Sequence, residues 1–274
     1  MMPSSGGIKL QKKHGQYFLR DKSVVRDMVW HYQLKNVTVM EIGCGDGFLT
    51  REILAQPINK LVVFEIDPMW AKKVGDECQN DKLSIVVGDF LEADLQVLNA
   101  AAPVTLLANL PYHITFPILH RIHKARNIIQ RGVVMIQDEV AEKIVKVRGK
   151  GYGYVSLFFQ YYFDWKLLTK IPPTAFFPEP KVHSRLIAFT AKAGVTPIIE
   201  EKHFWRFIKI CFAYPRRTLR NNIVQSHIPL NSLPEDLLAL RAQQLSMAQF
   251  LQVWDVIRPL FITTTITAPE TDEE

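Results

Sequence analysis

Four apolar runs of the chain are each followed at once by glycine, acid or amide residues, and this repetition constrains the fold more than any other feature. The runs cover residues 37–40, 61–64, 83–87 and 104–108. Short runs rich in valine, leucine and isoleucine and closed by turn residues are typical of buried strands in a parallel sheet. Because ligands bind beyond the carboxyl ends of such strands, we expect an α/β fold whose polar groups share one sheet edge.

The first run leads into a glycine-rich turn, Gly43-Cys44-Gly45-Asp46-Gly47, that opens a helix. Glycine lets a backbone approach a nucleoside closely and adopt positive φ. The spacing is Gly-x-Gly-x-Gly and lacks the Gly-x-Gly-x-x-Gly fingerprint with which proteins bind a pyrophosphate. The turn therefore favours a nucleoside cofactor without phosphate, such as S-adenosylmethionine.

Side chains that suit a nucleoside follow the other three runs. Glu65 stands where an acid holds ribose hydroxyls, and Asp89 can accept from an adenine amino group beside the ring of Phe90. The fourth run ends in Asn109-Leu110-Pro111-Tyr112, whose amide and ring can hold an extruded adenine. Each feature alone also fits a structural role, such as Asn109 capping a helix that starts near Thr115. Together, at one sheet edge, they favour a ligand site.

Basic side chains interleaved with aromatic and amide residues occur at several places in the chain. A net charge of +6 leans toward a polyanionic partner such as nucleic acid. These stretches fit contact with phosphate groups and a merely solvated surface equally well. The residues that we assign to RNA binding are Lys12, Lys13, Lys181, Arg216, Arg217 and Arg220.

The pattern changes around residues 191–197, which we interpret as a linker. We predict a cofactor-binding domain with a basic N-terminal arm over residues 1–193, a small helical domain over 194–266 and a disordered acidic tail over 267–274. The three cysteines are scattered, which argues against a disulfide framework or a zinc site and fits a reducing cytoplasm. No apolar run is long enough to span a bilayer, so no membrane role is expected.

Seven motifs, spread in order over nearly the whole chain, resemble the small-subunit ribosomal RNA adenine dimethyltransferase family. They are His14-Gly15-Gln16-Tyr17-Phe18-Leu19, Glu41-Ile42-Gly43-x-Gly45-x-Gly47, Glu65-Ile66-Asp67, Gly88-Asp89-Phe90, Asn109-Leu110-Pro111-Tyr112, Phe176-x-Pro178-x-Pro180-Lys181-Val182-x-Ser184 and Arg216-Arg217-Thr218-Leu219-Arg220-Asn221-Asn222. The resemblance implies a Rossmann-like, class I S-adenosylmethionine-dependent methyltransferase with a seven-stranded sheet and a C-terminal helical domain that binds rRNA.

The resemblance also implies roles for individual residues. Those implied to bind S-adenosylmethionine are Tyr17, Leu19, Gly43, Gly45, Glu65, Asp89, Phe90 and Asn109, and those implied to hold the target adenine are Asn109, Leu110, Tyr112 and Phe176. The implied substrate is a pair of adjacent adenosines, each methylated twice, in a hairpin near the 3′ end of small-subunit rRNA within a maturing particle. We expect a cytoplasmic monomer that needs no metal.

Two positions depart from the family pattern. The family often has asparagine where Tyr17 and His113 stand.

Three other functions stay open. A large-subunit rRNA methyltransferase of the macrolide-resistance type generally lacks the stretch 216–222. An adenine-N6 DNA methyltransferase usually carries Asn-Pro-Pro-Tyr or Asp-Pro-Pro-Tyr. A ribosome assembly factor that acts mainly by binding is compatible with every motif.

Overall fold

A computed structural model describes residues 17–224, 230 and 233–263, together with the backbone of the short antiparallel strands Ser4–Ser5 and Ile8–Lys9. Lys12, Lys13 and the acidic tail lie outside the described residues. The chain divides into two compact units, Met1–Glu142 with Phe163–Ala191, and Lys143–Tyr162 with Lys192–Glu274. The division after residue 191 falls close to the predicted linker, but residues 143–162, which we assigned to the first domain, belong to the second unit.

Seven strands form the sheet of the first unit. They are β1 (Thr38–Ile42), β2 (Lys60–Glu65), β3 (Leu83–Val87), β4 (Val104–Asn109), β5 (Ile129–Gln137), β6 (Phe163–Ile171) and β7 (Ser184–Ala191), in the order β3-β2-β1-β4-β5-β7-β6. Strands β1 to β5 pair in parallel, whereas β7 runs antiparallel to both of its neighbours. The order in which successive strands join the sheet reverses between β1 and β4, which creates the crevice where ligands bind in such sheets.

The four strands predicted from apolar runs are all present, and their burial follows their place in the sheet. Every residue of β1, which lies between β2 and β4, is buried, whereas the edge strand β3 is only partly buried. The helices of this unit are α1 (Lys22–Trp30), α2 (Phe48–Leu54), α3 (Pro68–Glu77) and α4 (Thr115–Lys124), and α5 (Asp138–Val145) follows β5. Asp21 and Asp67 cap α1 and α3 by accepting hydrogen bonds from the backbone.

Helices make up the described part of the second unit. After α5 these are α6 (Tyr154–Tyr162), α7 (Glu201–Phe212), α8 (Leu219–Ile223), α9 (Glu235–Ala239) and α10 (Met247–Thr263). The indole of Trp205 donates to the Tyr162 hydroxyl, 3.0 Å away, and that hydroxyl donates to Glu201. These contacts between α6 and α7 explain why residues 143–162 join this unit. Within the described chain, no helix is long and apolar enough to cross a bilayer.

Candidate functional site

A cavity of about 350 Å³ lies at the carboxyl ends of β1, β2, β3 and β4. Its size falls in the range of small-molecule sites. The wall includes every residue predicted to bind the cofactor, namely Tyr17, Leu19, Gly43, Gly45, Glu65, Asp89, Phe90 and Asn109, and also Leu110 and Tyr112. The sheet thus gathers residues from motifs that are far apart in the chain at one edge.

The turn after β1 has a shape that requires glycine. Gly43 and Gly45 have φ of +74° and +50°, a region that other residues rarely adopt. A Cβ on Gly45 would lie 2.7 Å from Cε1 of Phe18. The Phe18 ring is buried and packs against Trp70 with their centroids 5.1 Å apart, so it cannot easily move aside. A Cβ on Gly43, in contrast, would meet no atom within 4 Å.

Glu65, at the end of β2, is held by backbone groups on both sides. Its Oε2 accepts from the Gly45 amide at 3.2 Å, and its Oε1 accepts from the Asp67 amide at 2.9 Å. The thiol of Cys44 also donates to Oε2, at 3.5 Å. Burial and the nearby Glu65 raise the pKa of the Cys44 thiol far above its usual value, so Cys44 is not a nucleophile. A carboxylate has about four acceptor positions, which leaves capacity for a ligand hydroxyl.

Glu41 is a second carboxyl in the cavity wall, and we predicted no role for it. It is fully buried, its Oε2 accepts from the Thr50 hydroxyl at 2.8 Å, and its Oε1 has no partner among the described residues. Burial, opposed by the Thr50 hydrogen bond and assisted by the nearby Glu65, raises the pKa of Glu41 to about 8. The group is therefore mostly neutral at physiological pH. An acid inside an otherwise apolar strand was the sequence signal for it.

Asp89 and Phe90 extend the cavity beyond β3. One oxygen of Asp89, Oδ1, accepts from the Leu91 amide at 2.8 Å, which orients the carboxylate. The Phe90 ring is buried and packs edge-on against Phe64 with the centroids 5.5 Å apart. The loop thus offers one acceptor and one fixed aromatic ring, the pair that recognition of an adenine needs.

Asn109 closes β4 in a defined orientation. Its Nδ2 donates to the backbone carbonyl of Tyr17 at 3.0 Å, and since a carbonyl can only accept, this contact fixes which end of the amide is oxygen. No described residue donates to Asn109 Oδ1. Helix α4 has Ile114 at its N-cap position without any side-chain cap, so Asn109 does not serve as the helix cap that we considered. The amide oxygen is left to accept from a ligand.

Tyr112 lies beside Asn109 and is held at two points. Its ring stacks on Tyr17 with centroids 5.6 Å apart and an interplanar angle of 26°. Its hydroxyl forms a hydrogen bond of 2.5 Å with the hydroxyl of Ser184. Burial, opposed by the Ser184 hydrogen bond, raises the pKa of Tyr112. Neither contact was predicted, although Ser184 closes one of the quoted motifs.

The comparison with protein families agrees with this geometry. The model of the family described as "Ribosomal RNA adenine dimethylase" matches residues 7–258. The chain belongs to this ribosomal RNA adenine dimethylase family. The predicted membership is thereby confirmed.

Relatives and solved structures extend the comparison. The "Ribosomal RNA small subunit methyltransferase A" of Chlorobium phaeobacteroides is 34% identical and covers 94% of each chain, and that of Syntrophotalea carbinolica is 36% identical over 92% of this chain and 98% of its own. The fold is similar to a crystal structure of a dimethyladenosine transferase from Plasmodium falciparum (TM-score 0.75, 20% identity, covering 88% of this chain and 97% of that chain). It is also similar to the 23S rRNA methyltransferase ErmE (TM-score 0.69, 21% identity, 88% and 99% coverage). These similarities confirm the predicted fold class.

Phe176, from one of the family motifs, is not where the resemblance led us to expect it. We expected its ring to stack on the target base, but it is only 3% exposed and packs in the core cluster that contains Leu19. Its backbone pairs with Leu19, in a two-residue strand that points Phe176 inward and leaves Phe177 44% exposed. Phe176 lies outside the cavity wall and supports the strand that carries Leu19.

The predicted RNA-binding residues that the structure describes have different surroundings. Lys181 in the first unit is exposed, as are Arg216 and Arg217 in the second. The Arg217 guanidinium lies 4.3 Å from the centroid of the Tyr214 ring. Arg220 instead pairs with Glu235. Two exposed arginines are thus presented on one turn.

Proposed function

We propose that this chain transfers methyl groups from S-adenosylmethionine to N6 of two adjacent adenosines in the 3′-terminal hairpin of small-subunit rRNA, producing N6,N6-dimethyladenosine. The observation that carries the proposal is the Asn109 amide, whose orientation is fixed by Tyr17 and whose oxygen faces no donor among the described residues. Membership of the ribosomal RNA adenine dimethylase family and the relatives named for the small subunit support it.

The cavity fits S-adenosylmethionine, which supplies a methyl group on a positively charged sulfur. The turn at Gly43 and Gly45 has no side chain and would let the cofactor lie against the backbone. Glu65 would accept from the ribose hydroxyls and Asp89 from the adenine amino group, beside Phe90. Because Glu41 is mostly neutral, it adds little negative charge to that of Glu65.

The acceptor site needs to hold N6 and make its lone pair available. Asn109 Oδ1 and the Leu110 carbonyl would accept hydrogen bonds from the two N–H groups of N6, while the ring of Tyr112 stacks on the base. Hydrogen bonds that favour a pyramidal amine withdraw the N6 lone pair from the aromatic ring and make it a better nucleophile. Each transfer releases one proton, which the product ammonium can lose to water. Positioning and electrostatics thus supply most of the catalysis.

RNA contacts outside the cavity would come from basic side chains. We assign phosphate contacts to Lys12, Lys13, Lys181, Arg216 and Arg217, and, with release of its Glu235 partner, to Arg220. We further propose that the enzyme acts as a cytoplasmic monomer on the immature small subunit, where a hairpin loop presents unpaired adenosines that are easily extruded.

The test is methyl transfer from labelled S-adenosylmethionine to unmethylated small subunits, large subunits and naked rRNA in parallel, with the modified nucleosides identified. We expect dimethyladenosine in small subunits alone and its loss in Asn109→Ala. The control variant is Asn99→Ala, since Asn99 is exposed and lies outside the cavity wall. Labelling of large subunits would instead indicate an enzyme of the macrolide-resistance type. Absence of transfer to every substrate would indicate a binding or assembly role.

A further inference from the structure

Ser184 has an unusual position for a serine hydroxyl. It is the first residue of β7, pairs with Gln137 of β5 on one side and Ile171 of β6 on the other, and is fully buried. A buried hydroxyl needs a hydrogen-bond partner, and the partner that the structure provides is the hydroxyl of Tyr112 at 2.5 Å. The contact joins residues 72 positions apart in the chain.

The strand that carries Ser184 is held firmly at this point. The next residue, Arg185, pairs through Nε with Asp138 Oδ1, and Lys170 of β6 pairs with the other oxygen of the same carboxylate. Asp138 is itself nearly buried and follows directly after β5. Two neighbouring strands and a shared carboxylate therefore fix the start of β7, which makes Ser184 a rigid anchor.

The hydroxyl contact restricts the ring of Tyr112 at its far end. The place of a tyrosine ring depends on χ1 and the plane of the ring on χ2. The hydroxyl oxygen lies on the χ2 axis, so its hydrogen bond to Ser184 opposes change in χ1, whereas the stack on Tyr17 opposes change in χ2. The ring of Tyr17 covers one face of Tyr112. Tyr112 is thus left with a single fixed plane and one face for stacking.

We propose that Ser184 is a positioning residue of the acceptor site, whose hydroxyl holds the Tyr112 ring at the place where the acceptor adenine stacks. The proposal rests on the proposed function, because it assumes that Tyr112 stacks on the methyl acceptor. Without the Ser184 hydroxyl, the ring and the base on it can swing about χ1, and N6 is held less precisely opposite the methyl group. The loss appears in kcat, while KM for RNA, which phosphate contacts dominate, changes little.

A double-mutant cycle tests the proposal in the full-length enzyme. Ser184→Ala removes the anchor, and Tyr112→Phe keeps the ring but removes its hydroxyl, so both break the same contact. We expect each single variant to lower kcat about tenfold and the double variant to lower it no further. Multiplied losses, about a hundredfold in the double variant, would show that Ser184 acts independently of Tyr112 and would overturn the proposal.

Ser156→Ala is the matched control for loss of a buried serine hydroxyl. Ser156 is also fully buried and donates to the Lys143 carbonyl in the second unit. Ser156→Ala is expected to lower the stability of the protein about as much as Ser184→Ala does, while its kcat stays unchanged. If Ser156→Ala lowers kcat as much as Ser184→Ala, the effect is general destabilisation and the proposal fails.

A second measurement does not depend on activity. With 13Cζ-labelled tyrosine, the titration of Tyr112 can be followed by NMR and assigned by its absence in Tyr112→Phe. The Ser184 hydrogen bond lowers the pKa of Tyr112 against the effect of burial. Ser184→Ala should therefore raise that pKa further, and Ser184→Thr should restore it; an unchanged pKa in Ser184→Ala contradicts the contact. An inactive wild type would refute the proposed function, whereas an active wild type with an additive cycle would refute the role of Ser184 alone.

Discussion

Replacing Gly45 with alanine tests the structure of the glycine turn in detail. Gly45 has φ of +50°, and a Cβ there would lie 2.7 Å from Cε1 and 3.1 Å from Cδ1 of Phe18. The Phe18 ring is buried against Trp70, and its backbone pairs with Phe177. Neither the ring nor the backbone of Phe18 can move without losing these contacts. The added methyl group therefore displaces the ring or the turn. Displacement of the turn would also break the hydrogen bond from the Gly45 amide to Glu65.

Gly43→Ala provides the comparison from which the magnitude follows. Both glycines have positive φ, which costs an alanine about 1–2 kcal/mol at either position. The methyl group on Gly43 meets nothing within 4 Å, whereas that on Gly45 adds an overpacking cost of about 1–3 kcal/mol. We therefore expect Gly45→Ala to lower the free energy of unfolding by about 2–5 kcal/mol and Gly43→Ala by about 1–2 kcal/mol.

Urea unfolding measures the loss of stability in each variant, and calorimetric titration with S-adenosylmethionine measures the loss of cofactor binding. Gly43 lines the cavity, so its alanine variant should bind the cofactor several-fold more weakly at a small cost in stability. Gly45→Ala should show the larger drop in unfolding midpoint. Equal destabilisation by the two variants would refute the claim that contact with Phe18 is the reason why position 45 requires glycine.

Three further perturbations test other parts of the site. Burial raises the pKa of Glu41 from its ordinary 4.5 to about 8, so the native state retains a proton that the unfolded chain loses, and stability falls as pH rises between these values. Glu41→Gln should remove that fall in urea unfolding followed from about pH 5 to pH 8; an unchanged slope would contradict it. Asp89→Ala should weaken cofactor binding about tenfold or more in calorimetry, because a charged acceptor is lost, and an unchanged Kd would exclude Asp89 from the site. Phe176→Ala should destabilise the protein by about 3–5 kcal/mol while Phe177→Ala costs less than about 1 kcal/mol; a stable Phe176→Ala that loses activity would restore the base-stacking role.

The sheet and the residues that line the cavity were predictable because local signals coincide with the fold. Apolar runs closed by glycine or acid residues define strands and their ends, and parallel strands bring those ends to one edge. Glu65, Asp89 and Asn109 therefore lie at the predicted cavity. Neighbouring residues in each run suffice to recognise these elements.

The remaining features depend on contacts between distant segments. Whether Phe176 or Phe177 faces the core is decided by a two-residue pairing with residues 18 and 19, which has no signal in local composition. The hydrogen bond between Ser184 and Tyr112 likewise requires the start of β7 and the turn after β4 to meet at the same sheet edge. The place of residues 143–162 in the second unit is decided by packing of α6 on α7 and not by any linker residues.

The proposed methylation is tested most directly by mapping methylated nucleotides in cells that lack their own small-subunit adenine dimethyltransferase and express this chain. Mass spectrometry of the 3′-terminal hairpin fragment of small-subunit rRNA identifies the position and number of added methyl groups. We predict two adjacent dimethyladenosines with the wild type and none with Asn109→Ala at equal protein levels. An unmethylated hairpin beside folded wild-type protein, or methylation that persists in Asn109→Ala, would contradict it.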